Sequence, residues 1–455
     1  MDEFIGREKE LAYLEHMYSS GKRQTCAIYG RRRIGKTTLI GKFCEGKPTL
    51  YIQFFDGTES ANLLAIRDAV TEMKGEDPGA FRDFLDALKA IRRICSEERT
   101  VLVFDEYPYL TKSSGYISSA VQKFIDHDLR GTNTMLIICG SSIRAMRKEL
   151  EDPVGPLFGR FPVRMEIKPL PMTDCRRFHP QMTDLDAMKV YMVVGGVPYY
   201  HEIMDGNTFE ECIRNSFVGP PAPLSDEALV MVQRELSPSS SYISLLTFIA
   251  GGSVTIKELA EKMRISDSLC GRYVRDLEFI GMVERVNPMA NTPKDTILRI
   301  KDNLLRFHFS VVRRYGSRLR AEDTDAVYTE MEQDIDTFFG QAFEDVCSEF
   351  IQRRFVCREI GKWWGRGAYG DREIDIVADA REGGTGIFLL CECKFRRRKS
   401  DFSVLNRLAD SADFVKGPNN RRLVLFSISG FDGDLIEHAE GRKDLMLFGM
   451  DDLYR

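Results

Sequence analysis

The sequence predicts a multidomain α/β chain, and three observations carry that prediction. The 455 residues are about three times the roughly 150 residues of a usual domain, so several cores are expected. Between Thr25 and about Arg164, short apolar runs (Cys26 to Tyr29, Thr49 to Phe55, Val101 to Phe104, Met135 to Cys139) alternate with helical stretches. Runs of about five apolar residues separated by helices suit buried parallel strands. Finally, 43% hydrophobic and 29% charged residues give a chain with cores to bury, which excludes wholly disordered, collagen-like and coiled-coil classes.

Composition narrows the function classes. The longest apolar pieces, such as Met135-Leu136-Ile137-Ile138-Cys139, fall far short of the roughly 18 residues that span a bilayer. The acidic start, Met1-Asp2-Glu3-Phe4-Ile5-Gly6-Arg7-Glu8, has no basic segment followed by an apolar one, so the expected location is the cytoplasm, with no membrane partner. Eleven scattered cysteines form neither a disulfide framework nor a CxxC pair and read as reduced, mostly buried thiols. Six histidines, none at ligand spacing, give zinc no support. The net charge of −5 does not make the whole chain a polycation, but from Arg353 to Lys399 twelve basic residues stand against seven acidic ones. A phosphate-backbone surface and a solvated basic face both fit that segment.

The first local motif follows the run Cys26-Ala27-Ile28-Tyr29. Gly30-Arg31-Arg32-Arg33-Ile34-Gly35-Lys36-Thr37-Thr38 is GxxxxGKT between a strand and the helical Leu39-Ile40-Gly41-Lys42-Phe43. Glycines at both ends let the backbone wrap a phosphate so that N–H groups and the helix N-terminus face the anion. Lys36 is expected at the β- and γ-phosphates and the Thr37 hydroxyl on Mg²⁺. About 70 residues on, Val101-Leu102-Val103-Phe104-Asp105-Glu106 ends an apolar strand in two carboxylates. Asp105 is expected in the Mg²⁺ shell and Glu106 at the attacking water.

With these motifs stand Gly6-Arg7-Glu8, the strand ending Gly140-Ser141-Ser142, Pro156-Leu157-Phe158-Gly159-Arg160, and Gly195-Gly196-Val197-Pro198-Tyr199. Together they resemble the archaeal ATPase family, in the STAND branch of the AAA+-like P-loop NTPases, over about the first 235 residues. The resemblance implies ATP or ADP with Mg²⁺ as cofactors, a P-loop core over 1–165 with a parallel sheet, and a helical lid over 166–235. It implies that Ser141 or Ser142 takes the sensor-1 place, that Arg7 joins the nucleotide contacts, and that Pro198 packs near adenine. It also makes Arg160 a charge-stabilising arginine, in cis or towards a neighbour in a homo-oligomer; an ordinary salt-bridge partner is the competing reading.

Residues 236–303 resemble a winged helix-turn-helix. Thr255 and Glu258 are spaced as a capping box at the start of one helix. Leu269, Tyr273, Leu277 and Ile280 line the inner face of the next, with Arg272 and Arg275 elsewhere on it. Met282-Val283-Glu284-Arg285 and Thr296-Ile297-Leu298-Arg299-Ile300 read as strands around a Pro/Asn turn, the wing. Contact with DNA and contact with protein are both open for such a module. Residues 304–328 read as a charged helical linker.

The last region, 329–455, carries Glu344 in an amphipathic helix, the strand Glu373-Ile374-Asp375-Ile376-Val377-Ala378, and then Ile387-Phe388-Leu389-Leu390-Cys391-Glu392-Cys393-Lys394-Phe395. Strand alternation puts Glu392 and Lys394 on one face and Cys391 and Cys393 on the other. Two acids and a lysine beside a hairpin suit a metal-dependent phosphodiesterase: Asp375 and Glu392 on Mg²⁺ or Mn²⁺, Lys394 on the water, Glu344 completing the shell. The segment resembles the PD-(D/E)xK nuclease superfamily, a restriction-endonuclease-like α/β fold, and a domain of unknown function often fused to archaeal ATPases. Ile374 stands where that superfamily often has proline. Two functions follow as expectations: an ATP-driven switch or motor controlling a DNA-binding, DNA-cutting half, or a signalling or scaffold ATPase whose nuclease-like domain only binds DNA or protein.

Overall fold

The computed structural model describes residues 4–252, 254–289, 296–320, 324–367 and 370–455. The chain divides into two compact units, Met1–Pro169 with Val197–Tyr199, and Leu170–Gly196 with Tyr200–Arg455.

The first unit is built on five parallel strands, β1 (Gln24–Tyr29), β2 (Thr49–Gln53), β3 (Val101–Asp105), β4 (Met135–Gly140) and β5 (Val163–Glu166), in the order β2-β3-β4-β1-β5. Every residue of β3 and β4 is buried, as expected where helices cover both faces of a sheet and the strands are apolar throughout. β5 was not legible as an apolar run, because Val163-Arg164-Met165-Glu166 is a half-exposed edge strand. Register places Tyr29 beside Gly140 and Phe104 beside Ile138. The segments that leave β1, β3 and β4 therefore emerge at one edge of the sheet, where open α/β folds bind ligands.

The second unit begins with helices that the sequence assigned to a lid. Their polar groups are tied to the helix Thr324–Arg354: Glu349 accepts hydrogen bonds from the Met172 amide (2.9 Å) and the Tyr191 hydroxyl (2.5 Å). Next, the helices Ser239–Ala250, Ile256–Met263 and Asp267–Phe279 pack with an antiparallel hairpin of β6 (Val283–Val286) and β7 (Ile297–Ile300) around Leu245, Leu259, Val274, Leu277 and Leu298. The capping box forms, with Thr255 and Glu258 satisfying each other's backbone amides. Residues 290–295 of the anticipated wing turn lie outside the described residues. The first part of the segment expected as a charged linker packs into core: Leu304, Leu305, Phe307, Phe309, Val311 and Val312 are buried, and Phe307 packs edge-on against Phe217 and Phe338. Its arginines marked it as solvated, but its apolar side chains face inward.

The chain ends in a mixed sheet of β8 (Val356–Gly367), β9 (Gly370–Glu382), β10 (Thr385–Lys394), β11 (Arg421–Ser427) and β12 (Leu445–Phe448), ordered β12-β11-β10-β9-β8. β8, β9 and β10 run antiparallel and β10, β11 and β12 parallel. All eleven cysteines are free thiols. Among the described residues no helix is long and apolar enough to cross a membrane.

Candidate functional site

The loop after β1 turns back so closely on β5 that a Cβ on Gly30 would stand 2.6 Å from the Ile167 carbonyl oxygen. Only glycine permits that approach. Gly35, at φ 88°, then starts the helix Lys36–Cys44. Lys36 is 6% exposed, and its ammonium donates to the carbonyls of Gly30 (2.9 Å) and Arg31 (3.0 Å), lying across the loop mouth. Burial holds this lysine below its usual range, against the pull of Cys139, Glu106 and Asp105. It is a desolvated cation held by neutral carbonyls, which favours an arriving anion.

Around it the other anticipated residues take defined places. Thr37 is exposed, and its hydroxyl donates to Asp105 Oδ2 at 3.2 Å. Asp105 is 1% exposed and also accepts the Tyr51 hydroxyl (2.6 Å) and the Glu106 amide (2.9 Å). Burial and the Asp105 carboxylate push the Tyr51 hydroxyl well above the usual tyrosine range. Glu106 sits in the left-handed region at φ 52°, and its Oε2 accepts both the Ser141 hydroxyl (2.8 Å) and amide (3.1 Å). Arg7 donates to the Ile34 carbonyl at 3.2 Å. Pro198 packs over Gly35, Arg33 lies 4.4 Å from the Tyr199 ring centroid, and Arg32 bonds the Tyr109 hydroxyl. Thr38 is exposed on the helix's first turn. A carboxylate and a hydroxyl within hydrogen-bond reach at the loop are hard oxygen donors that fit Mg²⁺, and the loop fits a phosphate.

One expectation is corrected. Arg160 is not at this edge: its carbonyl accepts the hydroxyl of Thr25 (2.6 Å), near the start of β1, and its guanidinium is held by Asp126 at 2.9 to 3.2 Å. Four strand steps of about 3.3 Å separate Thr25 from Tyr29, so a cis role at the phosphates does not fit.

In the second unit, the β9–β10 register pairs Ile376 with Cys391, so one step further Asp375 stands opposite Glu392 on the same face. Asp375 accepts the Cys393 amide (2.7 Å). Burial and then Asp375 push the Glu392 carboxyl up, while Lys394, bonded to it, opposes that shift. Glu344 reaches the same region from its helix. Burial raises its carboxyl to about 7; Lys362 opposes and Asp375 adds to the rise. The anticipated metal shell is corrected in one respect. Glu344 is bound to Lys362 rather than placed with both other acids, and among the described residues no three His, Cys, Asp or Glu side chains are arranged to hold an ion.

The sequence reading missed Tyr51 and Lys362. Each lies on a strand far in sequence from the acid it touches, and only the pairing of β2 with β3 offered a signal for Tyr51. It also missed the buried pair His179 and His201, whose ring nitrogens lie 2.9 Å apart; His201 Nε2 stands 2.7 Å from the Gly195 carbonyl. Beside it, a Cβ on Gly196 would collide with the Leu170 carbonyl oxygen at 1.8 Å, which explains the second glycine of Gly195-Gly196-Val197-Pro198.

Residues 4–202 match the family described as an ATPase domain predominantly from Archaea, and residues 308–404 match archaeal and bacterial proteins of unknown function. An uncharacterized protein of Methanocaldococcus jannaschii is 28% identical over 387 residues, covering 82% of this chain and 84% of that one. An uncharacterized ATP-binding protein of the same organism is 48% identical over 44 residues, 10% of this chain and 75% of its own. Among solved structures, the Walker-type ATPase of Pyrococcus abyssi superposes with a TM-score of 0.52 at 15% identity, over 67% of this chain and 96% of that one. Residues 4–202 are thus similar in sequence to archaeal ATPase domains, and the chain shares its fold with a Walker-type ATPase over 67% of its length.

Proposed function

We propose that the chain is an ATP-binding and ATP-hydrolysing switch of the STAND type, acting in the cytoplasm, whose second unit binds DNA. The observation that carries the ATPase reading is the placement of Lys36, Thr37, Asp105, Glu106 and Ser141 at one sheet edge. Lys36 leaves its carbonyl partners for the β- and γ-phosphates, and the P-loop amides from Gly30 to Thr38 cradle them. Thr37 and Asp105 would hold Mg²⁺, which supplies charge neutralisation on the phosphate oxygens. Pro198 and Arg7 border the nucleotide. Glu106 polarises the attacking water once it exchanges Ser141 for that water. Lys36→Ala is expected to abolish ATP binding in a filter or calorimetric assay, and wild-type affinity in that variant overturns the phosphate-loop assignment. Glu106→Gln is expected to bind ATP and lose about 10² to 10⁴ in turnover, the usual contribution of a general base.

DNA binding rests on the helix pair and β6–β7 hairpin, read as a winged helix, and on the basic run after β10, where Arg397, Arg398 and Lys399 are exposed. Affinity for duplex DNA is expected to fall steeply with salt as counterions are released, with Arg397→Ala/Lys399→Ala reducing the log–log slope by roughly 2. Undetectable binding at about 50 mM salt overturns it. For the C-terminal domain, read as PD-(D/E)xK-like, the binding reading is favoured over cleavage by one observation: Glu344 and Glu392 already carry lysine partners. Mn²⁺-dependent plasmid nicking that Asp375→Ala or Lys394→Ala removes would reverse that preference.

A further inference from the structure

Lys362 stands on β8, and its ammonium is bonded to Glu344 Oε2. Neither side chain is an exposed surface group, at 19% and 14% relative exposure, so this is a largely desolvated ion pair, and Asp375 lies close enough to act on Glu344.

The backbone around Lys362 is fixed by a different part of the second unit. Its carbonyl accepts the Met289 amide at 2.8 Å, and Pro288 bridges to it in parallel. Met289, three residues beyond the end of β6, is 7% exposed and belongs to the hydrophobic cluster of Trp363, Ile374 and Phe388 under the C-terminal sheet. Neighbouring Gly361 lies so close that a Cβ there would stand 3.2 Å from the Met289 side chain. The partner helix is fixed as well: Asp345, next to Glu344, accepts from Arg299 on β7 (2.7 Å) and from Arg306 (2.6 Å). The hairpin β6–β7 thus fastens both elements that bring Lys362 and Glu344 together.

A carboxylate set of this kind needs positive charge. In the arrangement described here Lys362 and Lys394 provide it, and Asp375 is satisfied by a backbone amide. From this geometry we propose that Lys362 is the resident counter-ion of the C-terminal acid cluster, held in place by the β6–β7 hairpin, and that its ammonium keeps divalent cations from Glu344 and Asp375. The inference rests on the reading of Asp375 and Glu392 as a cation-binding pair and assigns to Lys362 the reason that pair is closed. An ammonium and a divalent ion compete for the same oxygens, and a cation entering beside Lys362 would meet its charge at a few ångströms in a poorly screened site.

The test is Mn²⁺ binding by the nucleotide-free full chain, read from the loss of the free-ion electron paramagnetic resonance signal. A background of Thr37→Ala and Asp105→Ala removes these two oxygen donors from the N-terminal site. With Lys362 in place no ion is expected to bind below about millimolar Mn²⁺, whereas Lys362→Met is expected to gain one ion at least about tenfold more tightly. Adding Asp375→Asn is expected to remove that ion, and Lys362→Arg, which keeps the charge, to bind none. Lys362→Gln repeats the measurement should Lys362→Met not fold. Tight Mn²⁺ binding with Lys362 intact, lost with Asp375→Asn, overturns the counter-ion role and leaves a metal site standing. No Mn²⁺ in a folded Lys362→Met or Lys362→Gln chain overturns the counter-ion role and the cation-binding reading together.

Discussion

Each unit sets acids and lysines around a strand end, but the two neutralise them differently. In the first, Lys36 is held by two backbone carbonyls, while Asp105 and Glu106 are held by hydroxyls and amides from Thr37, Tyr51 and Ser141. All of these hydrogen-bonding partners are neutral, so no bonded ion pair forms, and Asp105 and Glu106 act on Lys36 only through space. In the second, Lys362 lies on Glu344 and Lys394 on Glu392, so two of the three acids are cancelled by bonded lysines, while Asp375 accepts a backbone amide. Desolvated charge without a counter-ion is unfavourable in the empty protein and becomes favourable when an oppositely charged ligand arrives. The proposed nucleotide site is of the first kind, whereas two of the three C-terminal acids already hold a bonded lysine.

Stability in the absence of ligand tests that contrast directly. Lys394→Met leaves the buried Glu392 carboxylate without its cation and is expected to cost roughly 2 kcal/mol, less than a full buried-pair loss because Glu392 can take up a proton. Lys36→Met removes a buried charge that burial already disfavours and is expected to leave stability unchanged or raise it by about 1 kcal/mol. Urea melts of the nucleotide-free chain check both. Equal losses at the two positions would show that the lysines are held alike and end the comparison.

What the sequence disclosed follows the same division. The phosphate loop was legible because its chemistry is contiguous: nine residues from Gly30 to Thr38, between a strand and a helix, contain their own geometry. Asp105 and Glu106 were legible because they end an apolar strand. Glu392 and Lys394 were assigned to one face by alternation, and the structure bonds them. Lys362 could not be found this way, since its link to Glu344, 18 residues earlier, is made where β8 packs back against the preceding helix, with no periodicity to mark it. Tyr51 was hidden in a run read only as apolar. The segment around Phe307 was misread because exposed arginines outweighed the apolar residues between them in a reading by composition.

pH sharpens the comparison through opposite signs. Burial pushes His179 to about 4 and His201 to about 3, so the folded state keeps both neutral. A depressed folded value means that this contribution is fully present above the unfolded value of about 6.5 and is lost as pH falls below it. Glu344, raised to about 7, works the other way: its contribution is present below the unfolded value of about 4.3 and is lost as pH rises through 7. Between pH 7 and 5 the two histidines together are expected to cost about 3 to 4 kcal/mol and Glu344 to return about 2. Stability measured against pH should therefore lose about half of its acid slope in His201→Gln, which leaves His179, and its opposing slope in Glu344→Gln. A wild-type acid slope retained in His201→Gln would remove the His pair from the account.

The smallest expected effect concerns the neutral hold itself. The Ser141 hydroxyl and amide both donate to Glu106 Oε2, at 2.8 and 3.1 Å. Ser141→Ala deletes the hydroxyl and leaves the amide, so Glu106 keeps one partner and its position at the strand end. A single neutral-to-charged hydrogen bond contributes about 1.5 to 3 kcal/mol at most, and here the surviving amide and incoming water offset part of the loss. The expected stability change is therefore about 1 kcal/mol. ATP affinity should be unaltered, because Lys36 and Thr37 do not touch Ser141, and turnover should shift by less than about tenfold. The direction of that shift distinguishes two roles. A rise in single-turnover rate means that Ser141 restrains Glu106 from the water, while a fall means that Ser141 orients it. A loss of 10² or more, the size expected for the general base itself, would show that the hydroxyl is as essential as the carboxylate, and that this site depends on a specific bonded pair as much as the C-terminal cleft does.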